Sequence, residues 1–213
     1  MNTLLRPPAT LTLTLPLVAA EPIIVPRPGR PWTVADLQQF AGREERYELV
    51  RGDLLMMSSA SPKQGRYAMR LGSALQQYVE AHDLGEVYTA EPGFQLQPEP
   101  DAVVRAPDVA FVQKERIPPP EDESGFWSLA PDLVVEIISP FETAVQVQAK
   151  VQDYLTAGSR LIWLVYPETH TVVEYRAAGA MRLYASADTL DGADVVPGFQ
   201  YPLAQLFRET RRM

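Results

Sequence analysis

Ala130-Pro131-Asp132-Leu133-Val134-Val135-Glu136-Ile137-Ile138-Ser139-Pro140 carries a run of six residues, Leu133 to Ile138, that is apolar except for one carboxylate. A nearly continuous apolar run, fenced by prolines, reads as a central strand buried on both faces. Strand period two puts Glu136 on the face of Asp132, Val134 and Ile138. An ionised carboxylate inside such a strand is costly unless it is paired or holds a metal. The same stretch therefore predicts the middle of a sheet and a place where chemistry is concentrated.

Working upstream, Pro107-Asp108-Val109-Ala110-Phe111-Val112 is a second strand, opened by another carboxylate. If the two strands are neighbours, Asp108 and Glu136 converge at one end of the sheet and offer the hard oxygen ligands preferred by Mg²⁺ or Mn²⁺. Downstream, Glu142 to Ala157 reads as a helix stopped by Gly158, with Ala144, Val147, Val151 and Leu155 as its apolar stripe. Lys150 and Tyr154 lie at the border of that stripe. A lysine there can bury its stem and carry its ammonium over the sheet edge toward the carboxylates. Two carboxylates, a lysine and a divalent cation make a site for phosphodiester hydrolysis.

The rest of the chain supplies the frame. Thr33 caps a short helix running to about Phe40, and Tyr47–Val50 with Leu54–Met57 reads as a hairpin around Arg51-Gly52-Asp53. Arg66 to Ala81 has helical spacing of Met69, Leu71, Ala74, Leu75, Tyr78 and Val79. Val87 to Leu96, Leu161 to Val165 and Val172 to Tyr175 read as strands, and Arg116 to Ser128 as a proline-rich acidic loop. Helices alternating with strands predict a mixed α/β or α+β domain with a central sheet flanked by helices.

Composition narrows the function. The chain has 213 residues, no cysteine, two histidines, and 27 acidic against 19 basic residues for a formal net charge of −8. Disulfides, thiolate metal sites and a cysteine nucleophile are excluded, and a multi-histidine site is disfavoured. The acidic balance opposes a sequence-independent nucleic-acid coat or an anionic-membrane binder, but not local contact with nucleic acid. No apolar run is long enough to span a membrane. Leu11 to Val18 superficially resembles a secretory signal, but Thr12, Thr14 and Pro16 interrupt it. Its alternation also reads as an edge strand. Pro22, Pro26, Pro28 and Pro31 read as an extended linker, dividing the chain into an extension over residues 1–31 and a domain over 32–213.

The run Tyr47-Glu48-Leu49-Val50-Arg51-Gly52-Asp53-Leu54, then Ser61-Pro62, Pro107-Asp108-Val109, the Ala130–Pro140 stretch, Lys150 with Tyr154, Ala157-Gly158 and Trp163-Leu164-Val165 resembles the Uma-two family of bacterial proteins. That family is assigned to the PD-(D/E)XK, restriction-endonuclease-like nuclease superfamily. The resemblance spans roughly Thr33 to Phe207. It implies a restriction-endonuclease-like central mixed sheet flanked by helices, with Asp108 and Glu136 as metal ligands. The lysine slot within the strand holds Ile138 here, so the resemblance moves that role to Lys150 on the helix. It makes Glu48 an additional acidic residue of the site. Where many relatives have a histidine after the Ser-Pro pair, this chain has Gln64; where relatives often carry an acidic residue, it has Tyr166.

Each of these residues has a plainer reading. Glu136 can be neutralised by a buried cation, Asp108 can close a turn after proline, Lys150 can be a solvated helix lysine, and Glu48 can face solvent. The sequence expectation is an Mg²⁺- or Mn²⁺-dependent endonuclease acting on DNA, cytoplasmic, not membrane-bound, and homodimeric through its sheet edges. The alternative is a catalytically silent member that binds nucleic acid or protein on the same scaffold.

Overall fold

The computed structural model describes residues 22–209, apart from 28, 59, 90–92, 120–124 and 178. The strand or signal reading of Leu11–Val18 lies outside the described residues. In chain order the elements are β1 (Ile23–Val25), α1 (Val34–Gln38), β2 (Tyr47–Val50), β3 (Asp53–Met56), α2 (Pro62–Ala81), β4 (Gly85–Thr89), β5 (Phe94–Gln97), β6 (Val103–Arg105) and β7 (Val109–Gln113). After a 3₁₀ turn at Lys114–Arg116 come β8 (Leu133–Ile137), α3 (Ala144–Ala157), β9 (Leu161–Tyr166), β10 (Thr171–Arg176), β11 (Met181–Tyr184), β12 (Thr189–Asp191), β13 (Gln200–Pro202) and α4 (Leu203–Leu206).

The central sheet has six strands in the order β11-β10-β9-β8-β7-β4, and β8, the strand of Glu136, lies inside it. Every residue of β8 is buried, as its apolar run requires. It pairs antiparallel with β7 and parallel with β9, the α3 crossover joining the parallel pair. One face of this sheet packs on α2 through Tyr67, Leu71, Leu75 and Val79, against Val109, Val135, Ile137 and Trp163. Helix α2 comes close enough there that a Cβ on Gly72 would lie 3.3 Å from a Val109 methyl. The opposite face, with Val134, Ile138, Ile162 and Leu164, packs on Val147, Val151 and Tyr154 of α3. Gly158 ends α3 in the left-handed conformation at φ +105°.

Two features differ from the sequence expectation. Val87–Leu96 is not one strand: β4 edges the central sheet, whereas β5 belongs to a second sheet of order β1-β3-β2-β6-β5. Part of the segment read as a linker is a strand, because β1 pairs antiparallel with β3. Trp32 Nε1 donates to the Val25 carbonyl at 2.9 Å, and Arg27 and Arg30 both pair with Asp36 of α1, which ties the proline-rich stretch to the domain. The second sheet buries Leu49, Leu54, Ala102 and Val104 with Leu37 of α1. Alternation turns their neighbours Glu48 and Arg105 the other way, toward the α3 side of the central sheet. Among the described residues, no helix is long and apolar enough to cross a membrane.

Candidate active site

β7 and β8 place Val109 opposite Val135 and Ala110 opposite Val134. That register carries Asp108 opposite Glu136 on the same face. Asp108 Oδ2 accepts the Ile137 backbone N–H at 2.8 Å, pinning its carboxylate to the end of β8. The remote pair named from sequence is therefore brought together by strand pairing. Glu136 is buried, whereas the Asp108 side chain is 17 % exposed.

Helix α3 brings the other two groups. Tyr154 donates its hydroxyl to Glu136 Oε1 at 2.8 Å, and the Lys150 ammonium lies 3.6 Å from Glu136 Oε2. Lys150 is buried, not a solvated helix lysine. Its closest carboxylate is that of Glu142, at 2.7 Å, just before the helix. Glu142 uses its other oxygen to accept the Ser139 N–H at 2.9 Å, which folds the Ser139–Thr143 turn back over the site.

Glu48 is buried as well, against the solvent-facing reading. It joins the cluster with its carboxylate already engaged, since Arg105 Nη1 donates to Oε2 at 2.7 Å and Ala106 N–H to Oε1 at 3.2 Å. Arg105 also grips Asp153 of α3 with Nη2 at 2.6 Å and Nε at 3.1 Å, and Arg51 completes the chain at 2.5 Å from the other Asp153 oxygen. Arg105, Asp153 and Glu142 were not singled out by sequence reasoning. An apolar pair before Arg105, and Asp153 one turn beyond Lys150, were the faint signals available.

These contacts set the protonation states. Burial pushes the Glu136 carboxyl up to about 7; Lys150 opposes this, while Asp108 and Glu48 add to it. Burial also raises Asp108, despite the Ile137 N–H and the Arg46 and Lys150 charges. Burial would raise Glu48 too, but Arg105 and Lys150 outweigh it and hold that carboxyl below its ordinary value. Lys150 is kept above its ordinary value because Glu136, Glu48 and Glu142 overcome the effect of burial. The outcome is one permanent ammonium beside a carboxylate that is only partly ionised at neutral pH.

Among the described residues, no group of three or more His, Cys, Asp or Glu side chains forms a metal-ligand set. Two carboxylates still fit Mg²⁺, which retains several waters and takes only one or two carboxylates plus substrate phosphate oxygens. Asp108 and Glu136 are the two with the right chemistry, and Glu48 is committed to Arg105. The partly exposed side chains of Asp108, Glu142 (16 %) and Arg46 (32 %) mark the open side, with Arg46 Nη1 3.9 Å from Asp108 Oδ1.

The profile of the Uma2 family, described as "Putative restriction endonuclease", matches residues 34–204. The chain belongs to the Uma2 family. A crystal structure described as "a putative nuclease" from Anabaena variabilis ATCC 29413 superposes with a TM-score of 0.71 at 19 % identity, covering 83 % of this chain and 98 % of that one. At that identity the likeness shows the shared restriction-endonuclease-like fold. No curated protein matches the chain. The Uma2 match takes in Glu48, Gln64, Asp108, Glu136 and Lys150, so every carboxylate and cation of the candidate site lies within the matched span. In this Uma2 chain Gln64 is the third residue of α2, and its Nε2 donates to the Ile137 carbonyl at 3.2 Å. The first turn of α2 is thereby fastened to the end of β8.

Proposed function

We propose that this Uma2 protein is a metal-dependent endonuclease that hydrolyses phosphodiester bonds of DNA. The observation that carries the reading is the juxtaposition of Asp108 and Glu136 across paired strands, with the Lys150 ammonium 3.6 Å from the latter. Bound by these two carboxylates, Mg²⁺ or Mn²⁺ would supply charge to a nonbridging phosphate oxygen and acidity to a water. Asp108 stands at the open side, held by the Ile137 N–H. Tyr154 fixes one Glu136 oxygen so that the other can turn toward a cation. Lys150 offsets negative charge growing on the phosphate, and Arg46 offers a second cation at the mouth. Glu48 acts at one remove: fixed by Arg105, it helps keep Lys150 charged.

The test is cleavage of supercoiled and labelled linear DNA with Mg²⁺ or Mn²⁺. Wild type is expected to cut, and Asp108→Asn and Glu136→Gln to lose at least about a hundredfold in rate with unchanged circular dichroism. Undiminished cutting by purified Glu136→Gln would remove the basis of the reading. A second reading, a silent scaffold that binds nucleic acid, is favoured by one contact: the Lys150 ammonium lies nearer Glu142 than Glu136. It predicts no thermal stabilisation by either metal, whereas binding raises the melting temperature.

A further inference from the structure

Away from the carboxylates, a pocket of about 480 Å³ opens between α2 and the segment after α4, lined by Lys63, Arg66, Tyr67, His170, Phe207, Arg208 and Glu209. The neighbours of its lining residues fix its position. Lys63 precedes Gln64, whose amide holds the Ile137 carbonyl beside Glu136. His170 lies in the turn after β9, and β9 runs parallel to β8 with Val165 accepting the Ile138 N–H at 2.9 Å. The pocket and the carboxylates thus lie toward the same end of the sheet, on opposite faces.

Its lining is built. Arg70 Nη1 donates to the Leu206 carbonyl at 2.7 Å and to the Arg208 carbonyl at 2.9 Å, fixing the wall that carries Arg208. Phe207 is 6 % exposed, and the exposed ring of His170 stacks on it at 5.1 Å between centroids and 25° between planes. Lys63 pairs with Glu168 at 2.7 Å, but both ends of that pair are open to water, at 38 % and 59 % exposure. An exposed pair of this kind contributes little, so a phosphate can replace Glu168 without a large loss. In a chain of net charge −8, cations gathered around one backed aromatic ring stand out.

We infer that this pocket binds an unpaired stretch of nucleic-acid strand leading away from the scissile bond. Lys63, Arg66 and Arg208 take backbone phosphates, and one base stacks on the outer face of His170. Stacking on an aromatic platform combined with a cationic track is how single strands are held without base-specific hydrogen bonds. A duplex cannot offer an unstacked base to His170, so the pocket favours a frayed end, flap or loop near the cut. This inference rests on the nuclease reading, and its test separates the two.

The experiment measures fluorescence anisotropy of a short labelled oligothymidylate and of a duplex of equal length, in EDTA, over a range of salt. The proteins are wild type, Lys63→Gln with Arg208→Gln, and His170→Ala, each variant checked for an unchanged melting temperature. The double variant is expected to weaken single-strand binding about tenfold or more and to reduce the salt slope by roughly 1.4, at ~0.7 per phosphate contact. His170→Ala is expected to weaken the single strand about fivefold or more and leave the duplex unchanged. Wild-type affinity and salt slope in the double variant would overturn the inference even if DNA cleavage is observed. Loss of binding in the pocket variants, with no cleavage under any metal, would uphold the pocket and overturn the nuclease. Failure of wild type to bind the single strand at all would overturn the pocket outright.

Discussion

Glu136 has two partners that favour its charge to different degrees, and burial that opposes it. Because its carboxyl is raised from 4.5 to about 7, the stability it lends the metal-free fold is present below its ordinary value and lost as pH rises through about 7. Asp108, also raised, has the same sign; Glu48, lowered, has the opposite one, its contribution being lost as pH falls through its folded value. Metal-free wild type is therefore expected to lose stability to urea between about pH 5 and 8 more steeply than Glu136→Gln; equal slopes would contradict the assignment. Metal binding at pH 6 should release a proton that is no longer released at pH 8, measurable by calorimetry in buffers of different ionisation enthalpy. Arg105 makes a second prediction. Arg105→Met leaves Glu48 buried without its paired guanidinium and Asp153 with Arg51 alone, and is expected to cost about 3–5 kcal/mol in urea unfolding. A loss below about 1 kcal/mol would show that water reaches the pair. Glu136 and Asp108 were legible in the sequence because a charge inside an apolar strand is conspicuous. Arg105 and Asp153 were not, because each looks like a surface charge until folding joins residues 48 positions apart.

Elements with long periodic patterns were read well, and those set by capping or by a partner sheet were not. The apolar stripe of α2 begins after Arg66, so periodicity started the helix there. The structure starts it at Pro62, capped by Ser61, with Gln64 closing the reciprocal capping box. That signature, Ser61-Pro62-Lys63-Gln64, was present but lies outside the apolar stripe. Ser61→Ala is expected to cost about 1 kcal/mol. Because α2 is pinned to β8 through Gln64, the same change should speed amide exchange in the first turn of α2 more than in its last. Uniform exchange along the helix would mean that tertiary packing, not the cap, fixes its start. At the start of β5, after the division of Val87–Leu96 between two sheets, Gly93 lies so close under Phe126 that a Cβ would come within 2.6 Å of its ring. The sequence shows only Pro92-Gly93, a turn signal without a destination. β11 escaped notice because Met181 and Leu183 are exposed on an outer strand, which removes the buried-face alternation.

At the scale of the molecule, the parts converge on one place. The central sheet contributes Asp108 and Glu136, the crossover helix contributes Lys150 and Tyr154, and the second sheet contributes Glu48 and Arg105 from its inner face. The family's fold was legible because its ordered motifs extend over most of the domain; the second sheet's role was not, because its strands are short and their partners distant. Glu48, Glu136, Glu142 and Asp153 face Lys150, Arg105 and Arg51 here, so this cluster accounts for only one of the eight excess negative charges, and any contact with nucleic acid has to be local. Metal-dependent hydrolysis at this site requires one divalent cation shared by β7 and β8. The measurement that bears on it most directly is anomalous diffraction from crystals soaked in Mn²⁺. A single strong peak is expected at bonding distance from oxygens of both Asp108 and Glu136, absent in Glu136→Gln crystals. No peak between them in fully soaked crystals, or one that persists in the variant, would contradict it.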